Sequence, residues 1–344
     1  MAATLNTVLE QLLEGHDLGE PAAGELLMAL AAPGVEPALA GALLAALRAK
    51  GVAAAELRGL AAAMRALARK PKLPAPLRAV DIVGTGGDKS GSLNLSTGAA
   101  LLAAACGVPV VKHGNRALSS RAGSADVLEA LGMAVAMDET RAGACFAATG
   151  FTFLFAPHYH PAIKNIAPVR AALGVRTVFN ILGPLTNPAS PPFLVIGAFD
   201  LLTAELMAQA LAGMSIERAL VIHGAAGWDE PTPIGAFEVF EVRAGVVRHG
   251  RRDPGDYGFA PCMPEQLAGG DAVHNAALLR RVLAGEDRGP RRDALLLGAA
   301  LALEVTGTEA QPRAAVARAA QAIDSGAAAD WLTKLVRFHE TGSR

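Results

Sequence analysis

Cysteine is scarce in this chain. Cys106, Cys145 and Cys262 are the three among 344 residues. They form no CxxC pair and stand at no metal-like spacing from histidine. This argues against thiol ligation or thiol catalysis and fits a reducing, cytoplasmic setting. Each reads as a small buried apolar side chain. An excess of basic charge is also missing: 31 Lys and Arg against 32 Asp and Glu give a formal net charge of -1. A general nucleic-acid coat needs a basic face, so no nucleic-acid partner is expected. The longest apolar run, near residues 98–111, falls short of the roughly 20 residues that cross a bilayer, so no membrane partner is expected either. The N-terminal stretch MAATLNTVLEQLLEGHD carries acids and no basic region, so it is not expected to be a secretory signal. Apart from alanine richness there is no low-complexity tract and no internal repeat.

What the chain does have is apolar side chain, at 52%. That is enough for a real core, and its length suggests two domains or one core with a substantial lobe. Alanine favours helix. Over residues 3–70, Leu5, Val8, Leu9, Leu12 and Leu13 follow the i, i+3, i+4, i+7 rule, and Pro21, Gly34 and Gly51 punctuate successive helical runs. A further amphipathic segment covers 57–68. A proline-rich joint, PKLPAPL, follows at 71–77, and then the pattern changes. Short apolar runs at 80–83, 108–111, 151–155, 193–196 and 219–222 read as buried strands, with helices at 97–106 and 124–131 among them. Residues 238–247 have a hairpin-like alternation, and 271–338 return to helix. Strand, loop, helix, strand in this order predicts an α/β fold with a mainly parallel central sheet flanked by helices, behind a small all-helical N-terminal domain.

Chemistry concentrates in four segments. The first is DIVGTGGD at 81–88, followed by KSGSLNLST at 89–97. A strand runs into three glycines and then into Ser96 and Thr97 at a helix start. Glycine lets backbone N–H groups turn toward an anion, and a helix N-terminus adds free N–H groups and the positive end of its dipole. This predicts a phosphate or diphosphate cradle. It is neither a Walker A loop nor a GxGxxG dinucleotide fingerprint, and an ordinary tight turn with a cap is the plain alternative. The second segment, KHGNRALSS at 112–120 with Arg121 and Ser124, follows the next strand and so shares the carboxyl edge of the sheet, where ligands bind in open α/β folds. Lys112, Arg116 and Arg121 bring cationic donors. Asn115, Ser119 and Ser120 bring neutral ones. A positive loop beside a glycine-rich loop suits a highly charged phosphate substrate better than it suits a merely solvated surface.

The third segment, HGAAGWDE at 223–230, also follows a strand. Asp229 and Glu230 are adjacent carboxylates, and beside a diphosphate site they are good oxygen ligands for Mg²⁺. In isolation they would read as two solvated acids. The fourth runs from His158 through His160, Lys164 and Arg170 to Arg176 and then FNILGPLTNP at 179–188. Arg170 has the fork to clamp a carboxylate bidentately. Helix packing around a proline-rich turn stands equally well for this segment on the residues alone.

At these four places, in this order, the sequence resembles anthranilate phosphoribosyltransferases. The likeness extends over nearly the whole chain, and four long ordered motifs are far more specific than one glycine loop. The resemblance implies a helical domain at 1–72, with parts of 158–187 packed on it, an α/β domain at 73–344, an active site between them, and a homodimer formed through the helical domain. It implies that Gly84, Gly87, Asp88, Ser92, Asn94, Leu95, Ser96 and Thr97 contact phosphoribosyl diphosphate. So would Lys112, His113, Gly114, Asn115, Arg116, Ala117, Leu118, Ser119, Ser120 and Ser124. Gly84, Asn115 and Arg170 would bind anthranilate, with His113, His160 and Pro184 lining its approach, and Ser96, Asp229 and Glu230 would hold Mg²⁺. Two positions depart from the family pattern: Ser92 stands where threonine is common, which keeps the hydroxyl, and Trp228 where leucine is common.

The implied reaction is displacement at C1 of the ribose. Diphosphate leaves and the anthranilate amine attacks, through a transition state of oxocarbenium character. An aromatic amine is already a fair nucleophile, so no general base is assigned. Two rival readings are carried. A pyrimidine nucleoside phosphorylase would not need the Asp229–Glu230 pair or Arg170 beside GPLTNP. A nucleic-acid-binding relative without activity would show lost substrate motifs and a basic groove.

Overall fold

The computed structural model describes residues 2–117 and 121–341. Four helices come first: α1 (Ala2–Leu13), α2 (Glu20–Ala31), α3 (Pro37–Lys50) and α4 (Ala54–Leu67), with α2 packed on α4 and α1 on α3. The i, i+3, i+4 spacing does its expected work, since Leu26, Leu27 and Leu30 of α2 and Leu43, Leu44 and Leu47 of α3 are buried. Glu56 in the first turn of α4 is buried too, but it is paired. It accepts from the Leu18 amide at 2.8 Å and from Lys50 Nζ at 3.0 Å, which closes the base of the bundle.

The α/β part begins with β1 (Val80–Gly84). It continues through α5 (Leu95–Ala105), β2 (Val110–Gly114), α6 (Ser124–Ala130), α7 (Glu139–Thr149) and β3 (Phe151–Phe155). Short helices α8 (Ala156–Tyr159), α9 (Ala167–Leu173) and α10 (Phe179–Leu182) lead to β4 (Phe193–Gly197), α11 (Leu201–Ala212) and β5 (Arg218–His223). A hairpin of β6 (Phe237–Arg243) and β7 (Val246–Arg252) follows, then α12 (Ala272–Leu283), α13 (Pro290–Val305), α14 (Pro312–Asp324) and α15 (Ala327–Glu340). The sheet has seven strands in the order β3-β2-β1-β4-β5-β6-β7, parallel through β5 and antiparallel for the hairpin. Ala244 and Gly245 turn the hairpin with φ of 50° and 76°, the left-handed pair that a tight two-residue turn requires.

Successive strand residues face opposite sides, and both sides are covered. Phe193 and Val195 of β4 join the core under α5, α12 and α13, whereas Leu194 and Ile196 join the core under α11. That second core runs without interruption into α2, α3 and α4 and takes in Ile166, Val169, Phe179 and Leu182. Segment 158–187 is thus the mortar between helical bundle and sheet. Helix α5 is buried from Thr97 to Ala104, as a central helix between sheet and α13 must be.

Three boundaries differ from the sequence expectation, each for a physical reason. β2 runs on through Lys112 and His113 instead of stopping at Val111, because the Lys112 ammonium is buried on the Ile82 carbonyl and the His113 ring is buried as well. α5 starts two residues earlier, at Leu95, and so brings Ser96 and Thr97 inside its first turn. The hairpin extends to Arg252, its outer strand held by pairing to β6 despite being largely exposed.

Candidate active site

The strand ends of β1, β2, β4 and β5 deliver the loops to one edge of the sheet. Gly84 and Gly197 are paired across β1 and β4, and the loop after β5 lies directly over them. A Cβ on Gly197 would sit 1.6 Å from the Asp229 carbonyl oxygen, and one on Gly84 would sit 2.3 Å from Asp229 Oδ2. Only glycine admits so close an approach. Trp228 anchors the loop from behind: it is buried in the large core, and its carbonyl accepts from the Gly224 amide at 2.8 Å. The departure from leucine therefore fills the core beneath the acids and leaves both in place.

The acidic loop is tied to the glycine-rich loop and to the helix start. Asp229 Oδ2 accepts from the Gly86 amide at 2.6 Å. Glu230 Oε1 accepts from the Ser96 amide at 3.0 Å, so it caps the N-terminus of α5, where a carboxylate meets free N–H groups and the helix dipole. Asp88 turns the same way. Its Oδ2 lies 3.4 Å from the Asp229 amide and its Oδ1 accepts from the Ser90 amide and hydroxyl. Burial, then repulsion from Glu230 and Asp88, holds the Asp229 carboxyl well above the usual range. Burial pushes Glu230 up to about 7, against the lowering pull of the Ser96 amide and of Lys112. Asp229 and Glu230, kept side by side at this cost in desolvation, are oxygen donors of the kind a hard cation takes. Among the described residues no three His, Cys, Asp or Glu side chains form a closed cage. Mg²⁺ takes one or two carboxylates from a protein and completes its shell with water and substrate phosphate.

The remainder of the first loop is well supported. Segment 91–93 pairs with 267–269 through Leu93 N–H to Leu267 O and Gly269 N–H to Gly91 O, which orients Ser92. The Ser92 hydroxyl lies 3.1 Å from Ser90 Oγ, which accepts from it while giving its own proton to Asp88. Asn94 donates to the Ala122 carbonyl and accepts from Asn275 Nδ2 at 2.8 Å. Asn275 on α12 received no role from the sequence, because a buried asparagine 181 residues away gives no local signal.

The second loop is arranged otherwise. Arg116 reaches Glu129 through two contacts of 2.5 and 2.7 Å and Asp126 at 3.0 Å, so its charge is spent on α6. Asp126 also accepts from the Ala117 and Gly123 amides, which pins the base of the loop. Ser124 Oγ donates to the Asn115 carbonyl at 3.3 Å. Leu118, Ser119 and Ser120 lie outside the described residues. Lys112 and His113, expected in the loop, belong to β2.

The structure brings His113 and His160 together beside Gly183, the residue before the buried Pro184. His113 Nδ1 meets the Gly183 carbonyl at 3.3 Å, and the two imidazoles stand edge to face at 5.1 Å. Burial and the neighbouring His160 hold His113 down at about 3, and burial holds His160 at about 4. Both rings are therefore neutral at pH 7. Among the described residues His113 Nε2 finds no hydrogen-bond partner. Arg170, in the last turn of α9, stacks on the Phe179 ring at 4.9 Å, and burial lowers its pKa. Sequence reading gave no role to Arg176. It donates to the Gly87 carbonyl, lies 4.0 Å over the Phe199 ring, and accepts at its own carbonyl from Arg48 of α3. It links the helical bundle to the glycine-rich loop. No helix among the described residues is long and apolar enough to cross a membrane.

This architecture matches two family descriptions, "Glycosyl transferase family, a/b domain" over residues 77–329 and "Glycosyl transferase family, helical bundle domain" over 6–68. The class is thus a glycosyl transferase built of a helical bundle and an α/β domain. Among curated proteins the chain is 51% identical to anthranilate phosphoribosyltransferase of Desulforudis audaxviator over 260 residues, 76% of this chain and 75% of that one. It is 48% identical to that of Methylobacterium nodulans over 268 residues, 78% and 79% of the two. Among solved structures, anthranilate phosphoribosyltransferase of Thermus thermophilus superposes with a TM-score of 0.91 at 44% identity, covering 97% of this chain and 99% of that one. The Saccharomyces cerevisiae enzyme in complex with PRPP (phosphoribosyl diphosphate) and Mg does so with 0.90 at 25% identity, covering 99% of both. The chain belongs to the anthranilate phosphoribosyltransferase family.

Proposed function

We propose that the loops after β1, β2 and β5 bind phosphoribosyl diphosphate and Mg²⁺ and that the pocket around His113 receives anthranilate. The reaction moves the phosphoribosyl group to the anthranilate amine and releases diphosphate, a step of tryptophan biosynthesis. The observation that carries the site is the convergence of Asp229 and Glu230 on the Gly86 amide and the α5 N-terminus. Solved relatives from yeast hold PRPP and Mg in one case and 4-fluoroanthranilate in another.

In this reading Gly84, Gly87, Asp88, Ser92, Asn94, Leu95, Ser96 and Thr97, with 112–120 and Ser124, form the diphosphate and ribose cradle. Ser96, Asp229 and Glu230 hold Mg²⁺, which when bound neutralises charge growing on the leaving diphosphate. Arg170 fixes the anthranilate carboxylate. His113, Asn115, His160, Gly84 and Pro184 shape the pocket. Holding amine and C1 in line supplies much of the acceleration. The three cysteines are unpaired, in keeping with a cytoplasmic enzyme.

A groove of about 830 Å³ lies on the helical bundle, away from these loops, and is walled by Pro33, Val35, Ala38, Ala42, Val169 and Leu173. We assign it to the homodimer, with 1–72 and parts of 158–187 as the dimerising domain and 73–344 as the α/β domain. Ala42→Arg is expected to convert a dimer to a monomer in sedimentation, and an unchanged dimer would remove the groove from that role.

The test of the reaction is loss of anthranilate fluorescence with purified protein, phosphoribosyl diphosphate and Mg²⁺, each omitted in turn. Loss only when all three are present supports the reading. Loss without Mg²⁺, or none at all, counts against it.

A further inference from the structure

β1 and β2 are neighbours in the sheet but are in register only at Val80↔Val110, whereas β1–β4 and β2–β3 each run for five pairs. Beyond Val80 the strands are joined by side chains. Asp81 Oδ1 accepts from the His113 amide at 3.3 Å, and Asp81 Oδ2 accepts from Asn187 Nδ2 at 2.8 Å. Asn187 Nδ2 also donates to the Val111 carbonyl at 2.8 Å, and the Lys112 ammonium crosses to the Ile82 carbonyl. Asp81, Lys112 and Asn187 are each at most 1% exposed.

We propose that Asn187 is a positioning residue which, through Asp81, replaces the missing β1–β2 ladder and sets the separation between the phosphate cradle and the anthranilate pocket. The geometry gives it reach to both. Asp81 stands three residues before Gly84, and the amide it holds belongs to His113, whose ring meets the Gly183 carbonyl. Asn187 terminates the segment carrying Gly183 and Pro184, and its Oδ1 fixes the local turn by accepting from the Ala189 amide at 2.9 Å. One side chain thus ties together β1, β2 and the wall of the pocket. A buried polar network in which every member is satisfied is rigid, and a small misplacement of two reacting groups is costly. Lys112 acts inside this wedge, balancing the Asp81 carboxylate.

The inference rests on the proposed placement of the two substrates, and a reciprocal exchange tests it. Asn187→Asp keeps the acceptor for the Ala189 amide, loses both donors, and sets a second carboxylate against Asp81. Asp81→Asn removes the counter-charge of Lys112. The double variant Asp81→Asn with Asn187→Asp rebuilds the amide–carboxylate hydrogen bond in the opposite sense. Turnover at saturation, both KM values, magnesium phosphoribosyl-diphosphate binding by calorimetry, and thermal midpoints are measured for all four proteins. Each single variant is expected to lose about tenfold or more in kcat, with smaller changes in KM, and the double variant to recover part of it, because the bond between positions 81 and 187 returns while the Val111 carbonyl stays without its donor. Wild-type kcat in Asn187→Asp, or a double variant no better than the product of the singles, overturns the proposal. So does a double variant that fails to regain folding lost in a single one. If the wild-type protein transfers nothing, the reading of the reaction fails by itself, and recovery of substrate binding and thermal midpoint in the double variant still decides the network.

Discussion

The loop after β5 and the loop after β2 reach the same edge of the sheet and are built on opposite plans. The acidic loop is set in place before any substrate arrives. Its backbone rests on Gly84 and Gly197, Trp228 is sunk in the core, and its carboxylates are held by backbone amides. Nothing within it balances the charge. The basic loop has its charge balanced internally, with Arg116 about half exposed and engaged by Asp126 and Glu129. The difference teaches which half of the site is stiff. A site for a metal–diphosphate complex can store its unbalanced field in the buried acids, where fixed groups act most strongly. The Arg116 cation stays screened by Asp126 and Glu129 until an anion competes for it.

The sharpest way to break this comparison is to remove the stored field. Asp229→Ala with Glu230→Ala is expected to lower kcat by about three orders of magnitude and to abolish Mg²⁺ dependence. A folded double variant with unchanged Mg²⁺ dependence removes both acids from metal binding. Next is the support itself. Gly197→Ala places a methyl 1.6 Å from the Asp229 carbonyl, which forces the loop off the strand ends. It is expected to destabilise the fold by about 1–3 kcal/mol and to cost most of the turnover, and a normal thermal midpoint with normal activity would show that the loop is pliable.

Arg170→Ala comes third. Loss of a charged hydrogen-bonding partner is worth about 1.5–3 kcal/mol, so KM for anthranilate is expected to rise about tenfold to a hundredfold while KM for phosphoribosyl diphosphate changes little. Equal rises would deny it the carboxylate. A pH series comes fourth. His113 and His160 ionise in the unfolded chain near 6.5 and in the folded protein at about 3 and 4. Depressed values mean stability present above about pH 6.5 and lost as pH falls toward those values. The thermal midpoint of His113→Gln with His160→Gln should therefore fall less than that of the wild type between pH 6.5 and 4. Parallel curves would mean the rings protonate in place. The smallest effect is expected of Glu129→Gln, which loosens Arg116. KM for phosphoribosyl diphosphate should shift a few-fold and become more sensitive to salt, with the thermal midpoint unchanged. Insensitivity to salt would mean Arg116 never leaves α6.

What could be read in the sequence follows the range of the interactions. Glycines ending a strand at Gly84, a hydroxyl pair at a helix start, and leucines at helical spacing are local patterns, and the structure shows a strand, a helix and a bundle at those places. The likeness to one family then supplied the order of the loops. What stayed hidden depends on residues far apart in the chain. Nothing near Asp81 announces that its partner is Asn187, and nothing near Asn94 points to Asn275. Lys112 looked like a loop cation because charged residues seldom end a strand interior. Its burial needs the Ile82 carbonyl and the Asp81 carboxylate, and neither is evident from the residues beside it. The ion pairs of Arg116 were hidden for the same reason, since its partners lie 10 and 13 residues on, on a helix whose direction the sequence does not give.

The outer strand of the hairpin bears on how molecules of this protein behave in a crowd. β7 is the last strand of the sheet, with an open row of backbone groups, and Arg248, His249 and Arg251 stand exposed along it. Strands dense in cationic side chains resist recruitment by the strands of other molecules. Concentrated protein is therefore kept from growing edge to edge into ribbons.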